Sequence, residues 1–240
     1  MSYFERFVRR TPRLFRPWLQ RAKLWTVGSP SLVPERELEN VYRHSLELLR
    51  ERHEPMGDYL EFGVYTGSSL ICMHRAAEQV GADELRLFGF DSFAGLPDAA
   101  AQDDGGLVWW PRQFAASRKL AERKLRKHGV HAGRVTLVEG WFDDTLTEAT
   151  RREHGIEHAG IVMIDCDMYS SAKTALAFCE PLIRREAVLL FDDWHSAGLA
   201  DQNRGERRAF EEFLEENPTL AAEELDSYSE SARVFLVRRA

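Results

Sequence analysis

The chain has 240 residues, of which 44% are hydrophobic and 30% charged, and its formal net charge is −7. This composition excludes a fibrous or largely disordered protein, and the acidic balance argues against nucleic acid as the main partner. No apolar run approaches the roughly 18 residues that cross a bilayer, and the first residues do not resemble a signal peptide. Three cysteines without ligand-like spacing indicate neither a zinc site nor a disulfide framework, so we expect a cytoplasmic protein.

Residues 1–30 differ from the rest of the chain. The first 25 residues contain seven basic side chains and one acid, Glu5, interleaved with aromatic rings. Such an arm suits an anionic membrane surface, or packing on its own domain or on a second copy. Pro12 and Pro17 interrupt an amphipathic helix and favour packing. We predict an arm over residues 1–30, a domain over residues 31–240 and a homo-oligomer; membrane contact is less favoured.

Helical and strand patterns then alternate along the chain. A helix entered at Pro34 is expected over residues 35–52. Further helices are predicted near residues 67–80, 113–128, 143–154, 171–184 and 205–216, and strands at residues 59–64, 85–90, 135–138, 161–164 and 188–191. Residues 223–228 and 233–237 predict a closing hairpin. The fold class is therefore α/β: a doubly wound, mostly parallel seven-stranded sheet with an antiparallel C-terminal strand and an N-terminal helical extension.

Ligands of open α/β sheets bind beyond the carboxyl ends of the strands. After the first strand, Gly63 and Gly67 allow a tight turn and a helix start with free N–H groups, but the spacing is neither a dinucleotide fingerprint nor a P-loop. Asp91 ends the second strand, where a carboxylate accepts hydrogen bonds from a ribose diol. A nucleoside without pyrophosphate, such as an adenosyl sulfonium, fits this pattern.

Aromatic residues follow the second and third strands. Trp141 and Phe142 follow Gly140 and either flank an adenine ring or pack in the core. Trp109 and Trp110 lie in the segment 105–114, which forms either a lid or acceptor surface with exposed aromatics, or a packed loop.

Four carboxylates follow two successive strands. Asp165 and Asp167 end the fourth strand, and Asp192 and Asp193 end the fifth. Carboxylates so close together repel one another and raise each other's pKa, so such a cluster usually holds a cation or shares protons. Oxygen ligands indicate Mg²⁺, Mn²⁺ or Ca²⁺; helix N-capping is the alternative for a single pair. His195 is either a general base or an ordinary histidine.

Together these motifs resemble the macrocin O-methyltransferase family, metal-dependent enzymes that methylate sugar hydroxyls on macrolides. The resemblance covers about residues 31–195, and the matching segments are Glu61-Phe-Gly-Val-Tyr-Thr-Gly67, Asp91-Ser-Phe-Ala-Gly-Leu-Pro97, Glu139-Gly-Trp-Phe142, Asp165-Cys-Asp-Met-Tyr169 and Phe191-Asp-Asp193. It implies a Rossmann-like class I methyltransferase fold, S-adenosylmethionine as cofactor, and Mg²⁺ or Mn²⁺. The cofactor contacts that it implies are Glu61, Gly63, Thr66, Gly67, Ser68, Ser69, Asp91, Ser92, Gly140, Trp141, Phe142 and Asp165, and the metal ligands are Asp165, Asp192 and Asp193.

The resemblance also implies a reaction. Transfer of a sulfonium methyl group to a small-molecule hydroxyl requires alignment and removal of the hydroxyl proton. The candidate bases are Asp165, then Asp167 or His195. A more distant likeness to catechol O-methyltransferases would put a lysine where this chain has Met168, so that base is absent. The rival interpretations are a metal-dependent phosphohydrolase, suggested by the Asp-x-Asp motif at Asp165, and a non-catalytic cofactor-binding subunit.

Overall fold

A computed structural model describes residues 32–52, 54–103 and 109–240. The predicted arm at residues 1–30 lies outside the described residues, so its packing and the homo-oligomer stay predictions.

A single sheet runs through the described part of the chain. Its strands are β1 (Asp58–Phe62), β2 (Leu87–Asp91), β3 (Val135–Glu139), β4 (Ala159–Ile164), β5 (Glu186–Phe191), β6 (Leu220–Leu225) and β7 (Arg233–Arg239). They are arranged in the order β3-β2-β1-β4-β5-β7-β6. The first five pair in parallel, and β7 lies antiparallel between β5 and β6. The predicted seven-stranded sheet with its antiparallel C-terminal strand is confirmed.

Helices cover both faces of this sheet. They are α1 (Glu35–Glu51), α2 (Ser68–Val80), α3 (Ala100–Asp103), α4 (Arg118–Lys127), α5 (Phe142–Thr145), α6 (Glu148–His154), α7 (Tyr169–Cys179) and α8 (Gly205–Glu216). In α1, Leu38, Tyr42, Leu46 and Leu49 recur at helical spacing and are fully buried, which is why this segment folds as an amphipathic helix. None of the described helices is both long and apolar enough to cross a membrane.

Three predicted helices are wrong in extent. The segment 143–154 is two helices, because the Thr147 hydroxyl accepts a hydrogen bond from the Thr150 N–H and begins α6 anew. The segment 171–184 is helical only to Cys179, after which Pro181 lies in a short 3₁₀ turn. The helix predicted from residue 113 begins at Arg118.

The central strands are buried on both sides. Tyr59, Ile161 and Val188 pack with α1 and α2 on one face, whereas Leu60 and Val162 pack with α7 and α8 on the other. Successive strand residues point to opposite faces, so β1, β4 and β5 consist almost entirely of buried positions.

The strand order creates a crevice at the centre of the sheet. β1 pairs with β2 on one side and with β4 on the other, so the loops after β1 and β4 leave towards different faces. Such a switch point is where open α/β sheets bind ligands.

Candidate active site

A cavity of about 690 Å³ opens at the carboxyl ends of β1 to β5. Ten of the predicted cofactor contacts line it: Gly63, Thr66, Ser68, Ser69, Asp91, Ser92, Gly140, Trp141, Phe142 and Asp165. Asp167, Asp192 and Asp193 line it as well. Glu61, Gly67 and His195 do not. The structure thus brings most of the predicted site residues to one cavity, while their individual roles stay predictions.

Gly63 allows the ends of β1 and β4 to touch. Its φ is +98°, and a Cβ atom built on it would lie 1.7 Å from the backbone oxygen of Asp165. A side chain has no room there and the left-handed backbone favours glycine. The Asp165 N–H donates to the Phe62 carbonyl at 2.9 Å, so the two strand ends are also hydrogen bonded.

Asp91 holds the β1 turn (residues 63–67) against the end of β2. Its Oδ2 accepts hydrogen bonds from the N–H groups of Val64 and Tyr65, both at 2.8 Å, and its Oδ1 accepts one from the Phe93 N–H at 2.6 Å. Burial raises the pKa of Asp91, although these three bonds oppose the rise. Each carboxylate oxygen has two lone pairs, so Oδ1 keeps an acceptor position for the predicted ribose contact.

Glu61 lies behind the cavity wall rather than in it, although the sequence motif predicts a cofactor contact there. Its side chain is fully buried, and its Oε2 accepts a 2.6 Å hydrogen bond from the Tyr59 hydroxyl, which in turn pairs with the Tyr42 hydroxyl at 2.7 Å. Within the described residues, Oε1 has no hydrogen-bond partner. Burial raises the pKa of Glu61 to about 8, which favours its protonated form at neutral pH.

Asp165, Asp192 and Asp193 form a carboxylate cluster. β4 and β5 are parallel neighbours with Ile164 opposite Phe191, so the residues after both strands emerge side by side. One oxygen from each of the three aspartates lies within 4.8 Å of the others. Burial, followed by the neighbouring Asp193, raises the pKa of Asp192 to about 7. Burial and the charges of both neighbours raise the pKa of Asp165 well above its ordinary value. A divalent cation fits such a hard, oxygen-only donor set and would relieve the repulsion.

Three residues that the sequence did not indicate support this cluster. The Tyr228 hydroxyl donates to Asp192 Oδ1 at 2.6 Å, and the Ser196 hydroxyl donates to Asp193 Oδ1 at 2.5 Å. The Asp193 N–H donates to Glu206 Oε2 at 3.0 Å. Tyr228 and Glu206 come from other elements of the chain, whereas Ser196 follows Asp193 by three residues.

Glu206 adds a further carboxylate beside the cluster. It is fully buried, and within the described part of the chain its Oε1 has no hydrogen-bond partner. Burial, followed by the charge of Asp193, raises its pKa well above the ordinary value. In the sequence it looks like an ordinary acid in the first turn of α8.

The two remaining candidate bases differ in position. Asp167 is buried against Asp193, faces the cavity and has a left-handed φ of +65°. Burial and the charges of Asp193 and Asp165 raise its pKa well above the ordinary value. His195 does not line the cavity; its backbone N–H donates to the Ser231 carbonyl at 2.8 Å. The geometry therefore favours Asp167.

The aromatic residues separate into buried and exposed groups. Trp109 and Trp110 are buried, and Trp109 packs against Phe114 and Met168. Of the two interpretations of this segment, the packed loop rather than the exposed lid holds for these two indoles, since both are buried; residues 104–108 lie outside the described residues. Trp141 is 41% exposed at the cavity rim, as contact with a flat ring would require.

Curated relatives of this chain methylate oxygen atoms. Demethyldecarbamoylnovobiocin O-methyltransferase of Streptomyces niveus and 8-demethyl-8-(2,3-dimethoxy-alpha-L-rhamnosyl)-tetracenomycin-C 4'-O-methyltransferase of Streptomyces olivaceus are each 25% identical to it over 175 residues. Each alignment covers 71% of this chain and 64% of the relative. The chain thus spans slightly less than two thirds of the length of these relatives.

Solved structures share the fold. The O-methyltransferase NovP superposes with a TM-score of 0.69 at 22% identity, covering 85% of this chain and 79% of NovP. The calicheamicin methyltransferase CalS11 superposes with a TM-score of 0.61 at 22% identity, covering 100% of this chain and 97% of CalS11. The sheet described above is therefore that of the class I methyltransferases.

The sequence family described as macrocin O-methyltransferase (TylF) matches residues 21–221. This range is most of the chain and includes every segment in which the resemblance was found. The chain belongs to the macrocin O-methyltransferase family.

Proposed function

We propose that the protein transfers a methyl group from S-adenosylmethionine to a sugar hydroxyl of a natural product, with a divalent cation in the site. The observation that carries the proposal is that the β1 turn and the carboxylate cluster face the same cavity. The names of the relatives support the acceptor class, because one of them methylates the 4' oxygen of a rhamnosyl tetracenomycin.

The residues around the β1 turn fit the cofactor. Gly63 lines the cavity without a side chain, so a ligand can approach the backbone closely there. Asp91 keeps an acceptor position beside the turn, and the half-exposed Trp141 offers a flat surface for a base. When bound, S-adenosylmethionine supplies an electrophilic methyl group that needs no further activation.

Asp165, Asp192 and Asp193 would hold the cation. Tyr228 and Ser196 donate hydrogen bonds to Asp192 and Asp193, which restricts both carboxylates to one orientation, as outer hydrogen bonds to metal ligands commonly do. When bound, a divalent cation supplies positive charge that favours loss of a proton from an acceptor hydroxyl.

Asp167 is the proposed general base. It faces the cavity beside the cluster but does not belong to the three-aspartate set. A cation held by its neighbours would lower the raised pKa of Asp167, so that its carboxylate could take the proton of an acceptor hydroxyl. A base must lie within hydrogen-bond reach of the proton that it removes. His195 does not line the cavity, so it is the weaker candidate.

A row of hydroxyl side chains supports a sugar acceptor. This hydroxyl wall consists of Ser170, Ser171 and Thr174 of α7 together with Ser196 and Ser231, and all five line the cavity. Hydroxyl groups both donate and accept hydrogen bonds, so a wall of this kind matches a polyhydroxylated ring better than a purely apolar one.

The test is a methyl-transfer assay on the purified chain with S-adenosylmethionine, Mg²⁺ and a panel of deoxysugar glycosides. We expect a mass gain of one methylene in a glycoside, loss of activity with a chelator and recovery with added Mg²⁺. Failure of S-adenosylmethionine to bind in the presence of Mg²⁺ would contradict the proposal. Activity that a chelator does not change would contradict the proposed role of a divalent cation. Hydrolysis of p-nitrophenyl phosphate would instead favour the phosphohydrolase.

A further inference from the structure

The described lining of the cavity is rich in acidic side chains and contains no basic one. It contains six carboxylates and no lysine or arginine, the acids being Asp91, Asp143, Asp165, Asp167, Asp192 and Asp193. On the proposed function, the cofactor brings a carboxylate of its own into this cavity, at its amino-acid end. Like charges repel strongly where solvent is excluded, so this carboxylate needs a place where the surrounding charge is positive.

Lys124 lies one hydrogen bond behind the wall at such a place. It is a half-buried residue of α4, and its Nζ donates to Ser68 Oγ at 2.6 Å and to Thr66 Oγ1 at 3.2 Å. Thr66 and Ser68 line the cavity, whereas Lys124 does not. The ammonium therefore acts on the cavity through these two hydroxyls.

The ammonium determines the direction of both hydroxyl groups. Lysine has three donors and no acceptor, so Ser68 and Thr66 accept from it and keep their own hydrogens for another partner. Neither hydroxyl donates to any other side chain or carbonyl that the structure describes. Two O–H donors polarised by a cation are thus available to an acceptor in the cavity.

The start of α2 adds to the same field. Gly67 precedes the helix without a side-chain cap, and its first turn contains no acid. The first N–H groups of a helix lack partners within the helix and carry partial positive charge. The hydroxyls of Thr66 and Ser68 and these N–H groups therefore share one corner of an otherwise acidic cavity.

We propose that Lys124 is a positioning residue for the carboxylate at the amino-acid end of the cofactor. It holds the Thr66 and Ser68 hydroxyls as donors towards that group and supplies the positive charge that offsets the aspartates. The inference rests on the proposed function.

The test compares two probes that differ at this end of the molecule. S-adenosylhomocysteine has the carboxylate, whereas 5′-methylthioadenosine has the same adenosine but no amino-acid group. By calorimetry, Lys124→Met should weaken binding of S-adenosylhomocysteine about tenfold, since hydrogen bonds to charged groups contribute more than neutral ones. Its affinity for 5′-methylthioadenosine should stay within about twofold of the unaltered chain. Lys119→Met, an exposed lysine of the same helix, is the matched control and should change neither.

Ser68→Ala provides a second, independent variant. It should also weaken binding of S-adenosylhomocysteine selectively. Adding Lys124→Met to the Ser68→Ala variant should weaken binding little further, because the effects of mutations at interacting residues are not additive. An equal loss for both probes, or no loss for S-adenosylhomocysteine, would overturn the role of Lys124. If the unaltered chain bound neither probe, the proposed function itself would fail, which is a different result.

Discussion

Asp167 occupies a backbone conformation that most residues avoid. Its φ of +65° lies in the left-handed region, which costs about 1 to 3 kcal/mol for a residue other than glycine. Asp and Asn tolerate this region better than other side chains. The conformation turns the chain from β4 into α7 and puts the Asp167 carboxylate against Asp193. Strain of this kind is concentrated at functional sites.

Replacing Asp167 by Asn tests its role as base. Asn keeps the shape and tolerates the left-handed backbone, but it cannot accept the proton. We expect kcat to fall about 10²- to 10⁴-fold, while calorimetry shows affinity for S-adenosylhomocysteine within about twofold of the unaltered chain. Asp201→Asn, at an exposed position, is the control. Near-normal turnover of the Asp167 variant would assign the base to another residue.

Glu61 predicts a pH dependence of stability. Its pKa is about 8 in the folded chain because of burial, and near 4.3 in an unfolded chain. Between these values the folded chain binds a proton that the unfolded chain lacks, so the Glu61 contribution to the free energy of unfolding falls as pH rises.

Glu61→Gln should therefore gain stability relative to the unaltered chain between pH 5 and pH 8, by about 3.5 kcal/mol. Urea unfolding at both pH values, without cofactor and with a chelator, measures the difference. Groups remote from Glu61 titrate alike in both proteins, so the change in that difference reports on Glu61 and the groups that its charge influences. A difference that stays constant with pH would show that Glu61 is charged in the folded chain.

At the scale of single residues, the acids that directly follow strands could be predicted from the sequence. Asp165, Asp192 and Asp193 are found this way because strand ends are local signals and parallel strands end at one edge. Glu206 and Tyr228 reach the same cluster from α8 and from the turn before β7. Their contacts depend on pairings between distant segments, so nothing in their local sequence distinguishes them from surface residues.

Among the elements, the contact between the ends of β1 and β4 depends on one missing side chain. Gly63→Ala would put a Cβ atom on the Asp165 carbonyl. We expect a loss of at least about 3 kcal/mol in the free energy of unfolding, since neither backbone can move without breaking the sheet. Cofactor binding should weaken as well, because the β1 turn would shift.

Gly133→Ala is the control for this change. A Cβ atom there meets nothing within 4 Å, so stability should stay within about 0.5 kcal/mol. Chemical denaturation of both variants measures the contrast. Equal stability of the two variants would mean that the strand ends separate easily.

Element type was easier to predict than element boundaries. The strands have continuous apolar runs, and α8 was predicted with its observed bounds. The boundary near residue 147 was missed because it depends on one capping hydrogen bond, from the Thr150 N–H to the Thr147 hydroxyl. Threonine and glutamate also occur inside helices, so the presence of Thr147 and Glu148 does not by itself predict that one helix ends and another begins here.

For the molecule as a whole, cation binding should be linked to unfolding. A ligand that binds only the folded chain stabilises it by an amount that grows with the logarithm of the ligand concentration relative to Kd. At about a hundredfold excess over Kd, Mg²⁺ or Mn²⁺ should raise Tm by roughly 5 to 10 °C for a chain of this size. Differential scanning fluorimetry with and without a chelator measures it.

Asp192→Asn is the control for this prediction, because it should change Tm without metal and the response of Tm to metal in opposite directions. Removing one of three neighbouring charges should raise Tm without metal, because Asn still accepts the Tyr228 hydrogen bond. The same variant should lose most of the response to added cation. A variant that keeps the full response would exclude Asp192 as a ligand.

The order of the strands is a property of the whole chain. An α/β class follows from the alternation of apolar runs and helical patterns. The position of β1 between β2 and β4 comes from pairings over many residues, such as Leu60 with Val162. Alternation alone is compatible with several strand orders, so the crevice between β1 and β4 became visible only in the structure.

The α7 part of the hydroxyl wall and the carboxylate cluster belong to different kinds of element. Ser170, Ser171 and Thr174 project from one helix, α7, whereas Asp165 and Asp192 follow strands in the centre of the sheet. Partly exposed helix positions accept many side chains at little cost in stability, but the strand ends are constrained by the ladder. On the proposed function, the choice of acceptor can therefore evolve on α7 while the transfer chemistry stays intact, and redesign for a new glycoside should begin at those three positions.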